Sequence, residues 1–215
     1  MKNISIAIDG PAGAGKSTIA KSIARIKKLT YIDTGAMYRA IALKIMMENI
    51  DITSEQSIIE MMKRTKIDML HHDVFLDNEL VNDKIRKPEV SSFVSHVARL
   101  KAIRERMVEL QQKIAREKDI IMDGRDIGTA VLPDATYKFF LTATIDERAK
   151  RRFLELKENG HTVDFEAIKS DIATRDKIDS EREIDPLRPA EDAIIIDTTG
   201  LTIEQVVDKI LSYIQ

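Results

Sequence analysis

Gly10-Pro11-Ala12-Gly13-Ala14-Gly15-Lys16-Ser17, followed by Thr18, reads G-x-x-x-x-G-K-[ST], the phosphate-binding P-loop pattern. Ile4-Ser5-Ile6-Ala7-Ile8 precedes it, a short apolar run bounded by Asp9 and Gly10, which predicts a buried strand. Ile19, Ala20, Ile23 and Ala24 follow at helical spacing. The glycines therefore sit at a strand-to-helix turn, the context the pattern requires. Glycine accepts positive φ and carries no Cβ, so backbone N–H groups can turn towards phosphate oxygens. The N-terminus of the following helix adds partial positive charge. Lys16 supplies a mobile cation for β- and γ-phosphates, and Ser17 a hydroxyl for Mg²⁺. The stretch predicts a nucleoside-triphosphate site.

The chain has 215 residues, 43% of them hydrophobic. That suffices for one α/β domain carrying an insertion. A net charge of −2 gives no basic footprint for nucleic acid. There is no cysteine, which excludes disulfides and thiolate-ligated zinc and suits a reducing compartment. The apolar run before Asp9 is too short for a signal segment, and no stretch approaches a membrane span. The expectation is a soluble cytoplasmic protein with neither nucleic-acid nor membrane partners.

Moving outward from the loop, Leu29–Ile32 predicts a second strand ending at Asp33-Thr34-Gly35, and a helix is expected from about Ala36 to Glu48. Thr34, Tyr38 and Arg39 gather at its start. A hydroxyl, a ring and a guanidinium there suit a phosphorylated, ring-bearing ligand, although this stretch taken alone favours Tyr38 in a core and Arg39 at a surface. From 49 to about 116 the texture changes. A helix is expected over 54–64, then strands over 67–70 and 73–76, turn chemistry at Asp77-Asn78 and a return strand at Leu80-Val81. Pro88 is expected to stop what precedes it, and one charged helical pattern covers 89–116. This segment interrupts the strand–helix alternation and reads as an inserted subdomain. His71, His72, His96 and His161 have no metal-ligand spacing.

Alternation then resumes. Ile120–Met122 is a strand with Asp123-Gly124-Arg125-Asp126 at its carboxyl end, where doubly wound sheets bind ligands. Strand 137–141 leads to a helix carrying Arg148, Lys150, Arg151 and Arg152 and ending with C-cap chemistry at Asn159-Gly160. A helix over 165–183 puts Arg175, Asp179 and Arg182 at i, i+4 and i+7, hence on one face. That face is either a salt-bridge ladder or a ligand surface. Pro186 and Pro189 are expected to end it, a fifth strand covers 193–196, and an amphipathic helix closes the chain from 203 to 214. The fold class expected is α/β, a P-loop fold with a five-stranded parallel sheet flanked by helices.

No N-K-x-D guanine motif and no hydrophobic run ending in Asp-Glu is present, which argues against GTPases and many ATPases. Arg39, Arg125, the 148–152 cluster, Arg175 and Arg182 outnumber what one triphosphate needs. Two phosphorylated ligands meeting head to head would use them, because phosphoryl transfer depends on in-line positioning and charge neutralisation. A phosphate acceptor, with a second pKa of about 6, needs no general base, and no catalytic histidine is evident. Two other classes stay open. One is a kinase for another acceptor, such as UMP or an alcohol. The other is a nucleotide-switched binding module.

Four stretches then carry a resemblance: Ile8–Thr18, Asp33-Thr34-Gly35-Ala36-Met37-Tyr38-Arg39, Asp123-Gly124-Arg125-Asp126-Ile127-Gly128-Thr129 and Ile196-Asp197-Thr198-Thr199. Over essentially its whole length the chain resembles bacterial cytidylate kinases, nucleoside monophosphate kinases of the P-loop class. The resemblance implies transfer of the ATP γ-phosphoryl to CMP or dCMP with Mg²⁺, on a core (1–48 and 117–215) with an NMP-binding insertion (49–116) and a short lid (148–163). It places ATP on Gly10, Pro11, Ala12, Gly13, Ala14, Gly15, Lys16, Ser17 and Thr18. It places CMP on Thr34, Tyr38, Arg39, Ser95, Arg104, Arg125, Asp126, Arg175, Asp179 and Arg182. Family members often carry serine where Thr34 stands; the hydroxyl is kept.

Chemistry accords with these placements. Asp126 can accept from the cytosine amino group while Arg104 and Ser95 donate to the ring acceptors, and uracil reverses part of that edge. Asp179 suits ribose hydroxyls, and Arg39, Arg125, Arg175 and Arg182 suit phosphates. Lys16, Arg125, Arg148, Arg152 and Arg175 are the catalytic candidates. Which of Arg148, Arg151 and Arg152 points inward is open from spacing, and so is whether Asp9 or Asp123 orders metal-bound water beside Ser17. A monomer is expected, since closing motions need free subdomains.

Overall fold

The computed structural model describes residues 3–70, 73–158 and 160–214; His71, His72 and Asn159 lie outside the described residues. Strand β1 (Ser5–Asp9) occupies the middle of a five-stranded sheet. Its neighbours are β6 (Ile120–Gly124) on one side and β7 (Tyr137–Thr142) on the other; β2 (Thr30–Asp33) lies beyond β6, and β8 (Ile194–Asp197) lies beyond β7. All four pairings are parallel. Their register places Asp9, Asp33, Asp123, Gly124 and Asp197 along one edge, the carboxyl ends of the strands.

Alternation within β1 separates two cores. Ile6 and Ile8 pack with α1 (Lys16–Lys27) and α8 (Ile203–Leu211) through Ile19, Ile23, Val206 and Ile210. Ala7 faces the other side, with Ile32, Ile120 and Met122, against α2 (Thr34–Glu48). Helix α2 is buried nearly all round, as a helix wedged between layers must be. It begins two residues earlier than its apolar pattern implies. Asp33 is the N-cap and accepts from the Ala36 amide at 2.8 Å, so Thr34 and Gly35 already lie in the first turn.

The segment after α2 holds α3 (Glu55–Lys63) and an antiparallel sheet of β3 (Ile67–Leu70), β4 (Asp73–Leu76) and β5 (Glu79–Leu80). Asp77 and Asn78 both have positive φ, at 51° and 70°, the signature of the two-residue hairpin turn expected there. The buried amine of Lys44 on α2 pairs with Asp77 and pins the hairpin. The single helix expected over 89–116 is two: α4 (Pro88–Ala98) and α5 (Lys101–Ala115), separated at Arg99 and Leu100. Pro88 opens α4 at its first turn, where a missing N–H costs nothing. Val90, Val94, Val97, Ile103 and Met107 of this pair join the same cluster as Ala7 and Ile32. Helix α6 (Ile145–Glu158) packs on α7 (Phe165–Glu181). Helix α7 stops before Pro186, with Arg182 already extended at φ −64°, ψ 143°. No described helix is long and apolar enough to cross a membrane.

Candidate active site

The donor loop is shaped by backbone contacts. Gly10 sits at φ +147°, and a Cβ there would lie 2.0 Å from the Leu141 carbonyl oxygen on β7; any side chain would push the loop off the sheet. Lys16 folds back and donates to the Pro11 carbonyl at 2.7 Å. Burial, and then the Arg125 charge, lower its pKa. Ser17 donates to Asp123 Oδ2 at 2.7 Å, and Tyr31 donates to the other oxygen at 2.8 Å. Burial and the neighbouring Asp33 raise the Asp123 pKa.

The two aspartates considered for the metal part company. Asp9 accepts the Ile127 and Gly128 amides at 2.8 and 2.7 Å. It thereby holds the π-helical turn Ile127–Val131, and burial lifts its pKa to about 7 against those two donors. Asp123 stands beside the Ser17 hydroxyl instead. Among the described residues no three His, Asp or Glu side chains converge on a metal position. A serine hydroxyl next to one buried carboxylate, at a phosphate loop, nevertheless fits Mg²⁺, which binds through one or two protein oxygens plus phosphates.

The residues expected to bind the acceptor lie at the end of β6 and on α2, α4, α5 and α7. Thr34 donates to the Asp123 carbonyl at 2.6 Å. Arg125 Nε donates to Asp179 Oδ2 at 2.8 Å. Burial opposes ionisation of Asp179, but the Arg125 charge outweighs it and holds the carboxyl below its usual range. Arg175 is forced to about 10 by burial and by Arg125. Its Nε, the Arg39 Nε and the Tyr38 hydroxyl are buried without a hydrogen-bond partner among the described residues; Arg39 also pairs with Asp33 at 3.1 Å. Such orphaned donors are costly and fit a site that receives an anion. Ser95 is buried on α4.

Arg104, 1% exposed, lies 5.9 Å from the Tyr38 ring and donates to Asp126. Arg182 Nη2 approaches the other Asp126 oxygen at 3.1 Å. Arg182 thus touches the expected base-reading residues, while its charge also acts on Asp179 alongside Arg125 and Arg175. Of the three arginines expected in a lid, Arg148 is buried and donates to the carbonyls of Ala12 and Ala143, both at 3.0 Å, and to Asp176. Arg151 donates to Thr198 Oγ1 at 3.0 Å and to the Thr198 carbonyl at 2.6 Å. Its Nη1 would be 3.9 Å from a Cβ on Gly15. Arg152 pairs with Glu155 at 2.8 Å.

Four contributors escape sequence reasoning. Tyr31 and Thr198 read as strand and strand-end residues. Asp176 accepts from the Ala12 amide at 3.2 Å, and Asp185 accepts from Arg104 at 3.0 Å. No motif singles out either in the sequence, although Asp185, before Pro186 at a helix end, carries a turn signal.

Residues 6–215 match the family model described as cytidylate kinase. The chain is 56% identical to a cytidylate kinase of Alkaliphilus oremlandii over 215 residues, covering 100% of this chain and 99% of that one. It is 50% identical to a cytidylate kinase of Bacillus subtilis over 218 aligned positions, covering 100% and 97%. Among solved structures, shikimate kinase from Acinetobacter baumannii superposes with a TM-score of 0.50 at 14% identity, covering 99% of this chain and 93% of that one. A gluconokinase from Sinorhizobium meliloti does so with 0.50 at 14%, covering 99% and 91%. These two likenesses concern the fold.

Proposed function

The chain belongs to the cytidylate kinase family and is a phosphotransferase acting from ATP to CMP or dCMP, and we propose the following division of labour among its residues. One observation carries it. A phosphate loop and an arginine–aspartate lattice meet at the carboxyl edge of one sheet, and α7 serves both, sending Asp176 to the loop and Asp179 to Arg125.

Residues Gly10 to Thr18 hold the ATP phosphates through loop amides and Lys16. Ser17 and Asp123 would hold Mg²⁺, which would supply charge neutralisation to the triphosphate. Arg39, Arg125 and Arg175 take the acceptor phosphate, Arg39 and Arg175 through Nε donors that have no hydrogen-bond partner among the described residues. Asp179 takes ribose hydroxyls, and Thr34 steadies the end of β6 through the Asp123 carbonyl. Tyr38, Ser95, Arg104 and Asp126 surround the base, with Arg182 supporting Asp126. The acceptor phosphate attacks as an anion, so no residue need remove a proton.

Arg151, beside Gly15, and Arg152, paired with an exposed glutamate, close over the transferring group. Arg148, committed to Ala12 and Asp176, braces the loop from behind. Closure excludes water and limits hydrolysis. The core, the NMP-binding insertion 49–116 and the lid 148–163 move as parts of a monomer in the cytoplasm.

The test is ADP formation from ATP and Mg²⁺ with CMP, dCMP, UMP, AMP, GMP or no acceptor. Rapid turnover confined to CMP and dCMP is expected. Turnover indifferent to the acceptor would overturn the acceptor assignments, and turnover with UMP alone would overturn the base-reading set.

A further inference from the structure

The guanidinium of Arg104 has five N–H donors. Nε donates to Asp185 Oδ2 at 3.2 Å, and Nη2 donates to the same oxygen at 3.0 Å and to Asp126. Nη1 donates to the Ala98 carbonyl at 3.2 Å. Four donors are thus placed, and one N–H on Nη1 remains. Each Asp126 oxygen faces one arginine and keeps further lone pairs. What this cluster offers a base is therefore one donor beside carboxylate acceptors. Cytosine presents the complement, a ring nitrogen acceptor beside an amino donor, whereas uracil presents N–H beside a carbonyl.

Asp185 closes the cluster into a ring. Its backbone is left-handed at φ +47°, which sends its carboxylate to Arg104 while its carbonyl accepts Arg182 Nε at 2.7 Å. Arg182 and Arg104 then share Asp126. We propose that Asp185 is a specificity-determining positioning residue: by engaging two donors of Arg104, it withholds from a uracil carbonyl the N–H groups that would otherwise bind it. The inference rests on Arg104 and Asp126 reading the base. Removing the carboxylate frees Nε–H and one Nη2–H in a buried place, where an unpaired donor seeks an acceptor; uracil supplies one.

The experiment compares kcat/KM for CMP and UMP, at saturating ATP and Mg²⁺, in the wild type and in Asp185→Gly, Asp185→Asn and Asp126→Ala. Gly and Asn both tolerate positive φ, so the backbone carbonyl keeps its place under Arg182. In Asp185→Gly the CMP:UMP ratio falls by about tenfold or more, with KM for UMP falling and KM for CMP rising, the scale expected when a hydrogen-bonding site loses its arrangement. Asp185→Asn keeps one neutral acceptor and lies between, and KM for ATP stays near the wild-type value in both.

An unchanged ratio in Asp185→Gly, or equal losses for both acceptors, overturns the inference. If the glycine variant does not fold, an asparagine variant with the wild-type ratio overturns it. Loss of selectivity in Asp126→Ala alongside full selectivity in Asp185→Gly sinks this inference and leaves the base-reading assignment standing. A wild type without CMP preference removes both.

Discussion

Asp176 gripping the donor loop makes a sharp prediction. Its Oδ1 accepts from the Ala12 amide at 3.2 Å, its Oδ2 pairs with Arg148, and Arg148 donates to the Ala12 carbonyl at 3.0 Å. The peptide groups on both sides of Ala12 are thereby fixed from α6 and α7. Asp176→Ala removes two charge-assisted bonds. Such bonds contribute about 1.5–3 kcal/mol each, and at a carboxylate 20% exposed the lower figure applies, giving a loss of about 3 kcal/mol. Asp176→Asn keeps a neutral oxygen for Ala12 and loses about half of that. In a chain of this size each kcal/mol moves Tm by about 2–4 °C, so the alanine variant should melt about 6–12 °C lower. Because the loop must be re-ordered each time ATP binds, ATP affinity should weaken by up to about 100-fold, while KM for CMP changes a few-fold at most. Thermal melts with and without ATP, calorimetric ATP titration and steady-state kinetics read all three. An alanine variant that melts and binds ATP like the wild type would show the clamp to be idle. Equal weakening towards ATP and CMP would show that α7 had simply shifted, and would refute the reasoning as surely.

Lys16→Ala should abolish transfer while CMP binding persists; turnover near the wild-type rate would undo the loop assignment. Asp126→Ala should lower kcat/KM for CMP by about 10- to 100-fold, the worth of a hydrogen bond to a charged group, with a smaller effect on ATP. Asp9 gives a pH dependence of definite sign. Its folded pKa of about 7 lies above the 3.8 of the free group, so the folded state holds the extra proton between those values. Its contribution to stability is full below about pH 4 and is lost as pH rises towards 7. Urea unfolding from pH 4 to 8 should show the wild type losing up to about 1.4 kcal/mol per pH unit relative to Asp9→Asn, levelling off above pH 7; parallel curves would refute it.

The parallel sheet was legible because its strands are short apolar runs punctuated by Gly and Asp, and the donor loop because its glycines sit at one strand–helix turn. The order of the strands was not, since nothing local says that β6 comes between β1 and β2. The break at Arg99-Leu100 left no mark either. It contains neither Gly nor Pro, and α5 turns there because Ile103 and Met107 reach a core built by distant residues. In the site, Arg175, Asp179 and Arg182 stood out by their helical spacing and Arg125 and Asp126 by their place at a strand end, whereas Ser95 and Arg104 rested on the family resemblance alone. Asp176 and Asp185 could not be picked out. In a chain where 33% of residues are charged, an acidic side chain that reaches 164 positions back to Ala12 looks the same as one facing water.

The burial of α2 on nearly all sides has a bearing on how such an enzyme can be recombined. Met37 and Ile41 share one cluster with Met122 of the sheet and with Ile58, Met61 and Val94 beyond it, and Lys44 is latched to Asp77. A chimera that exchanged only 49–116 between relatives would cut through that cluster and mismatch two halves of one packing problem. The exchangeable cassette begins at Thr34 and carries its own Tyr38 and Arg39, so a transplanted acceptor module would bring part of the proposed phosphate grip with it.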